Sequence, residues 1–164
     1  MAIPAFMQLF DDQNSEIKGG VKIRGRENTV EVLAFNHEVR IPTDPHSGAL
    51  TGMRKHESLV ILKKYDPSSP YLYKACCRGQ TLKKVIIRWY DINESGAETE
   101  YFRHELSDVK VTSVKPIMHN VKDGDKERYP HLEEVSFRYA KVNWLYHEGG
   151  LEYTDSWNDP KTAL

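Results

Sequence analysis

Long apolar runs are the first thing that this sequence lacks. Its 164 residues contain no apolar stretch of the roughly 20 residues that a membrane-spanning helix needs. The start, MAIPAFMQLFDD, has no basic segment ahead of an apolar one, so it does not resemble a signal peptide. We therefore expect a protein that is made in the cytoplasm and does not insert into a membrane. Any export should use a route that reads no cleavable signal.

Cysteine and an excess of one charge are also missing. The two cysteines, Cys76 and Cys77, are neighbours, and adjacent cysteines close only a strained ring, which excludes a disulfide framework. One of them falls on the apolar face of a predicted helix, which favours packing over catalysis. Lysine and arginine number 23 against 24 acidic residues, so the net charge of −1 gives no general attraction to nucleic acid or anionic lipid.

Motifs of catalysis and of metal or cofactor binding are absent as well. The histidines are His37, His46, His56, His104, His119, His131 and His147. None has a metal-ligand spacing such as HExxH, so we interpret them as scattered surface residues. The acidic neighbours Glu133 and Glu134 should point to opposite sides of a strand, which makes them poor partners for acid–base work. We expect no enzyme and no cofactor.

What the sequence does contain is a succession of strand patterns, rich in β-branched and aromatic residues and separated by turn signals. Strands are predicted over residues 5–10, 21–26, 29–41, 56–65, 84–92, 100–113, 134–146 and 151–155. One helix should begin near Ser68 and end at Gly79, with Pro70 in its first turn. The prediction is one domain over residues 1–164: a mainly β barrel or two-sheet sandwich of about eight strands, flanked by one helix.

Several predicted strands change face along their length. In residues 134–146 the apolar positions are odd at Val135, Phe137 and Tyr139, and even at Val142 and Trp144. A strand with one wet face should keep one parity throughout. Either the strands contain bulges or cross between sheets, or a second subunit covers their outer faces. Both interpretations remain open from the pattern alone, and they are compatible.

The segment IPTDPHSGALTGMRKHE, residues 41–57, has a different character. Two prolines, two glycines and Ser47 leave its first dozen or so residues without strand periodicity. A connection of this length without structure is uncommon in a compact domain and is often functional. The alternative is a flexible surface loop without a role.

These segments together resemble the haemolysin-coregulated protein (Hcp) family, whose members form the inner tube of type VI secretion systems. The resemblance is carried in order by MAIPAFM, EVLAFNHEVRIPTD, SSPYLYKA, GQTLK, IRWYDIN, EYF, HLEEV, FRYAKVNW and DSW, which span nearly the whole chain. The Cys76–Cys77 pair and the Pro45–His46 insert depart from the family pattern.

The resemblance implies a structural role: hexameric rings of this chain stack into a tube, which a contractile sheath drives outward. It implies as partners a spike protein, the sheath, the baseplate and small effector proteins held in the ring lumen. It also implies secretion without a cleavable signal. Some members of the family carry a C-terminal toxin domain, which we do not expect here because the sequence stops shortly after Trp157. In the family the extended loop reaches the next ring. The ring-stacking residues that this implies are Ile41, Pro42, Thr43, Asp44, Pro45, Ser47, Thr51, Arg54 and Lys55.

A second interpretation needs no resemblance. A barrel of eight strands can hold one small ligand, so the chain is alternatively a monomer that binds a small molecule or glycan in its interior. The abundant large side chains argue against it because they could fill that space. A stable ring in solution would exclude it.

Overall fold

The computed structural model describes residues 2–157, which form eleven strands and one α-helix. The strands are β1 (Ala5–Phe10), β2 (Glu16–Ile17), β3 (Val30–Val32), β4 (Ala34–Asn36), β5 (Val39–Arg40), β6 (Lys55–His56), β7 (Leu59–Lys64), β8 (Thr81–Ile92), β9 (Glu98–Ile117), β10 (Leu132–Tyr146) and β11 (Leu151–Ser156). The helix, α1, spans Ser69–Arg78. The predicted mainly β fold with one flanking helix is confirmed.

Nine of the strands form one antiparallel sheet in the order β2-β1-β8-β9-β10-β7-β4, with β3 also pairing β1 and β11 pairing β10. β3 and β4 are separated by Leu33 alone, yet β3 pairs with β1 and β4 pairs with β7. The backbone N–H of Leu33 donates to the Leu62 carbonyl of β7 at 2.8 Å, which links β3 to the pairing of β4 with β7. The sheets are nevertheless not closed into a barrel. The barrel in our prediction is therefore corrected to an open, strongly folded sheet. β5 and β6 form a separate two-stranded ribbon.

The change of parity has an explanation within one subunit. Along β10, Tyr139 and then Val142 are both buried in the same core, and β9 changes in the same way between Val109 and Leu106. Asp108, which lies between these positions of β9, has a φ of 52°, a left-handed conformation that is rare outside glycine. The strand pairing keeps its register through these positions, because its register shifts lie at Ser136/Phe137 of β10 and at Trp89/Tyr90 of β8. The change of parity is therefore a bend of the kind expected where strands cross between sheets, and it needs no second subunit to explain it.

The same change occurs at the same level of β8, between Leu82 and Val85. Residues 82 and 84 of β8 pair with residues 109 and 107 of β9, and residues 139 and 141 of β10 pair with the same two. The positions at which buried residues switch from one parity to the other thus lie side by side on three neighbouring strands. A sheet that folds over to enclose its own core needs such a line of positions.

The helix is confirmed, but its capping differs from expectation. Ser68 occupies the N-cap position, yet its hydroxyl donates to Asp66 instead of accepting from the helix. Gly79 closes the C-terminus with a φ of 61°, where a residue with a β-carbon would be strained.

The strand predicted over residues 21–26 is wrong. The backbone N–H of Arg26 donates to the carbonyl of Ile23, so the segment turns instead of extending. Gly25 at a φ of 87° permits this turn. The guanidinium of Arg26 packs against this turn's neighbours: it lies 3.8 Å from the centroid of the Tyr90 ring and pairs with Glu98.

Candidate assembly hairpin and its anchor

Residues 41–55 form an ordered hairpin, which contradicts the expectation of a connection without structure. Its base is the β5–β6 ribbon, in which Arg40 lies opposite Lys55. Beyond the ribbon, Thr51 N–H donates to the carbonyl of Pro42 at 2.9 Å, and Thr43 pairs with Leu50. The prolines and glycines that hid the strand pattern shape the turn and its approach.

Asp44 holds the tip of this hairpin. Its backbone N–H donates to the Ala49 carbonyl, and its own carbonyl accepts from Gly48 N–H, both at 2.8 Å. Its carboxylate accepts from the backbone N–H of His46 at 2.8 Å and from the Ser47 hydroxyl at 3.1 Å. These hydrogen bonds, first that of His46 and then that of Ser47, lower the pKa of Asp44 below its ordinary value. Asp44 therefore shapes the tip.

Three large apolar side chains are exposed on the same hairpin. Ile41 is 43% exposed, Leu50 52% and Met53 54%. Our sequence reasoning emphasised the polar residues of the loop and missed Leu50 and Met53. A signal was available in the sequence. Both residues are apolar, yet they lie in a segment without strand periodicity, so no buried position was predicted for them.

The other predicted stacking residues divide into two groups. The exposed ones are Thr43, Pro45, Ser47, Thr51 and Lys55, and Pro42 is half-buried. Arg54 is not presented to solvent: its Nε lies 2.5 Å from Oδ2 of Asp155, and its Nη2 lies 2.9 Å from Oδ1. Arg54 also donates to the carbonyl of Ser156 at 2.7 Å. In the folded subunit Arg54 thus ties the hairpin base to β11.

A chain of hydrogen bonds runs beside this ion pair, and we call it the relay: His37, Tyr139, His56 and Asp155. His56 Nε2 lies 2.7 Å from Oδ2 of Asp155, and its Nδ1 lies 2.6 Å from Oη of Tyr139. Oη of Tyr139 lies 2.7 Å from Nε2 of His37. His37 and His56 flank the hairpin, while Tyr139 is in β10 and Asp155 in β11. The relay therefore fixes the hairpin to the main sheet.

Burial and neighbouring charges shift the pKa values of three members of the relay. Burial alone would raise the pKa of Asp155, but hydrogen bonds and charge from Arg54 and His56 hold it below its ordinary value. Burial lowers the pKa of His37, and the positive charge of His56 lowers it further. Burial, and then the charge of Asp155, raise the pKa of Tyr139 far above its ordinary range, so the phenol stays protonated.

His104, on β9, adjoins the relay, with its ring centroid 6.4 Å from that of His37. Its Nδ1 accepts a hydrogen bond from Nε1 of Trp89 at 2.9 Å, so the ring proton must sit on Nε2. Burial, with a smaller contribution from His37, lowers the pKa of His104 to about 4. A proton on Nδ1 would displace the bond from Trp89.

The expectation of scattered surface histidines is therefore only partly right. His46, His131 and His147 are exposed. His56 is 1% exposed, and His37 and His104 are half-buried members of one aromatic cluster. Residues 2–157 contain no group of three or more histidine, cysteine and acidic side chains placed to share a metal ion.

A second surface carries exposed apolar side chains. On β11, Leu151 and Tyr153 are each 65% exposed. Among the described strands, β11 pairs only with β10, so its other edge presents unpaired backbone groups. No helix in residues 2–157 is long and apolar enough to cross a membrane.

Comparison with known proteins gives these features a family context. Over 95% of this chain and 99% of the other, the fold matches a tryptophan double mutant of Hcp1 from E. coli EAEC 042, with 44% identity and a TM-score of 0.86. The secreted protein Hcp3 from Pseudomonas aeruginosa is 30% identical with a TM-score of 0.79, over 96% of this chain and all of that one. The fold is therefore the one found in solved Hcp proteins.

The sequence agrees with the fold. The profile of the family described as "Type VI secretion system effector, Hcp" matches residues 6–146. The "Major exported protein" of Pseudomonas aeruginosa PAO1 is 37% identical over 98% of both chains. The chain belongs to the Hcp family of type VI secretion, which confirms the resemblance drawn from its motifs.

Proposed function

We propose that this chain is the structural subunit of a type VI secretion inner tube, that it assembles into hexameric rings, and that the rings stack through the hairpin at residues 41–55. The observation that carries the stacking proposal is the exposure of Ile41, Leu50 and Met53 on an ordered, anchored hairpin. A monomer gains nothing from holding large apolar side chains in water on a projecting element. A neighbouring ring that covered them would recover that free energy.

Lateral contacts within a ring are proposed at the open edge of β11. Leu151 and Tyr153 supply apolar and aromatic surface there, and the unpaired backbone groups can accept a strand of the next subunit. Such contacts should be larger and more apolar than those of the hairpin, so rings should outlast dilution better than tubes do.

Export belongs to the same proposal. The relative named "Major exported protein" supports secretion of this chain, as does the solved secreted protein Hcp3. We propose that the chain leaves the cell through the type VI apparatus with its N-terminus intact. The spike, sheath and baseplate are its proposed partners, and small effectors are its proposed cargo in the ring lumen.

The alternative of a monomer with a ligand inside is disfavoured by the packed interior. Met7, Leu59 and Phe137 each have 0% exposure and fill the space that such a ligand would need. The proposed role is therefore structural and not catalytic.

Light scattering coupled to size exclusion tests ring formation. Purified protein at micromolar concentration should have about six times the mass of one chain, and negative-stain images should show rings with an open centre. A monomeric mass throughout that range would overturn the proposal and favour the ligand-binding alternative.

A further inference from the structure

We propose that the relay is a proton-sensitive latch, which holds the hairpin base to β10 and β11 at neutral pH and loosens it in acid. This goes beyond the proposed function, because it assigns a conformational control to buried residues that do not belong to the stacking surface. Three consecutive hydrogen bonds of 2.7, 2.6 and 2.7 Å carry the inference.

At neutral pH the three hydrogen bonds of the relay can all be made at once. Asp155 is a carboxylate that accepts from Arg54, so Nε2 of His56 must donate to it. The hydroxyl of Tyr139 then donates to Nδ1 of neutral His56, and its oxygen accepts from Nε2–H of His37. All the donors point in one direction, toward Asp155.

The relay can take one proton without losing a bond. If His56 takes it, Nδ1–H donates to the Tyr139 oxygen, His37 changes tautomer so that its own proton lies on Nδ1, and the hydroxyl turns to donate to the freed Nε2 of His37. If His37 takes it on Nδ1 instead, the original directions remain. Since a phenol both donates and accepts, it adapts to either state.

A second proton breaks the relay. Both His37 and His56 would then donate to the same phenol oxygen, and the hydroxyl of Tyr139 would have no acceptor left within the relay. A buried hydroxyl without a partner is costly, and the two cationic rings repel each other across the phenol. If the hairpin base moves away from β10 and β11, water can solvate the unpartnered hydroxyl and the two charged rings.

The charges around the relay oppose added protons. Arg54, ahead of β6, pairs with Asp155 of β11, while Arg138 of β10 donates to the His56 carbonyl at 2.9 Å and lies over Trp157. His104 faces His37 from β9. Arg54 thus already pairs with the one carboxylate of the relay, and Arg138 adds a second positive charge beside His56, even before either relay histidine is protonated. Each further positive charge therefore favours release of the hairpin base over its attachment.

The position of the hairpin can be measured without any ring stacking. Cys77 is exposed on α1, and Ser47 is exposed at the hairpin tip. Spin labels at Cys77 and at an introduced Ser47→Cys, with Cys76→Ala to prevent double labelling, report the distance between helix and tip. Dilution with unlabelled protein isolates the distance within one subunit. Samples would run from about pH 7.5 to about pH 5, stopping where far-ultraviolet circular dichroism departs from native.

We expect one narrow distance distribution at neutral pH, and a broad component whose population rises about tenfold per pH unit as the second proton binds. Tyr139→Phe should give the broad component at every pH, because the phenol no longer links the rings. His46→Gln is the matched control: it removes an exposed histidine on the same hairpin and should leave the pH profile unchanged.

Two results would overturn the latch: a narrow distribution across the whole range, or a narrow distribution in Tyr139→Phe. A changed pH dependence of the broad component in His46→Gln would also overturn the latch, because the responsible proton would then bind at the hairpin tip and not in the relay. If the hairpin stacks rings, tube formation should weaken over the same pH range. That consequence rests on the proposed function, whereas the distance measurement does not.

Discussion

Two buried polar clusters attach the two appendages of the sheet, and they differ in chemistry. The helix cluster holds α1 with Lys63, Asp66, Ser69 and Glu133. The relay holds the hairpin and contains two histidines. Histidine is the side chain whose charge ordinarily changes between about pH 5 and 8. Ion pairs serve both attachments, Lys63 with Glu133 at the helix and Arg54 with Asp155 at the hairpin, but only the hairpin attachment also runs through histidines, which is why we propose that it responds to protons.

The helix cluster is the more deeply buried of the two. Lys63 and Glu133 both have 0% exposure. Nζ of Lys63 donates to Oε1 of Glu133, and also to the carbonyl of Lys64 and to Oδ1 of Asp66, each at 3.0 Å. The hydroxyl of Ser69 donates to the same Oε1 at 2.6 Å, which joins the first turn of α1 to β10.

The largest expected effect comes from breaking the helix cluster. Glu133→Ala leaves the ammonium of Lys63 buried with only part of its compensation, and should cost roughly 3–5 kcal/mol of the free energy of unfolding. Urea denaturation at neutral pH measures it.

The neighbouring residue provides the control. Glu134 is half-buried on the opposite face of β10, and Glu134→Ala should change stability by no more than about 0.5 kcal/mol. The double variant Lys63→Met, Glu133→Leu should recover most of the loss, because an apolar pair needs no charge compensation. A cost below about 1 kcal/mol for Glu133→Ala would show that the cluster does not anchor the helix.

The next effect is a pH dependence of stability, and it comes from His104, which adjoins the relay. The pKa of His104 falls to about 4 in the folded state, below its ordinary value, so the unfolded chain binds the proton more tightly. The stability due to neutral His104 is therefore complete above about pH 6.5 and is lost as pH falls toward 4, by about 3 kcal/mol in all. His37, whose pKa is also lowered, adds to the loss in the same direction.

Urea midpoints at a series of pH values test this. His104→Gln keeps an acceptor for Trp89 but cannot titrate, so its stability should depend less on pH than that of the wild type. His131→Gln, at an exposed position, should follow the wild-type curve. If the stability of His104→Gln and that of the wild type depend on pH in the same way, burial of His104 does not cause the loss of stability in acid.

The smallest expected effect concerns the cysteines, which belong to neither cluster. Cys76 is half-buried against the core, and Cys77 is exposed. The double variant Cys76→Ser, Cys77→Ser should still assemble, with a loss on the order of 1–3 kcal/mol from a hydroxyl buried at Cys76. Cys77→Ser alone should be neutral in the same denaturation assay. Loss of assembly in folded double-variant protein would contradict a packing role.

Sequence reasoning succeeded where the signal was local. Pro70 and Gly79 mark the ends of α1, and β-branched residues mark the long strands, because each constraint acts within a few residues. The relay was missed because its contacts join positions about a hundred residues apart, as His56 and Asp155 do. Judged one at a time, buried and exposed histidines look alike in a sequence. The hairpin was missed because proline and glycine interrupt the alternation that predicts a strand.

Electron microscopy of the hairpin variants tests the central claim, that rings stack through residues 41–55. Deletion of residues 44–48 removes the tip that Asp44 organises, and Leu50→Ser, Met53→Ser removes exposed apolar surface without touching the relay. Lys55→Glu is a matched change of charge at the exposed base, whereas a reversal at Arg54 would disrupt its ion pair with Asp155. We predict rings without long tubes for the deletion and the double serine variant, and shorter tubes for Lys55→Glu. Wild-type-length tubes from the deletion variant, or folded variants that form no rings, would contradict stacking through the hairpin.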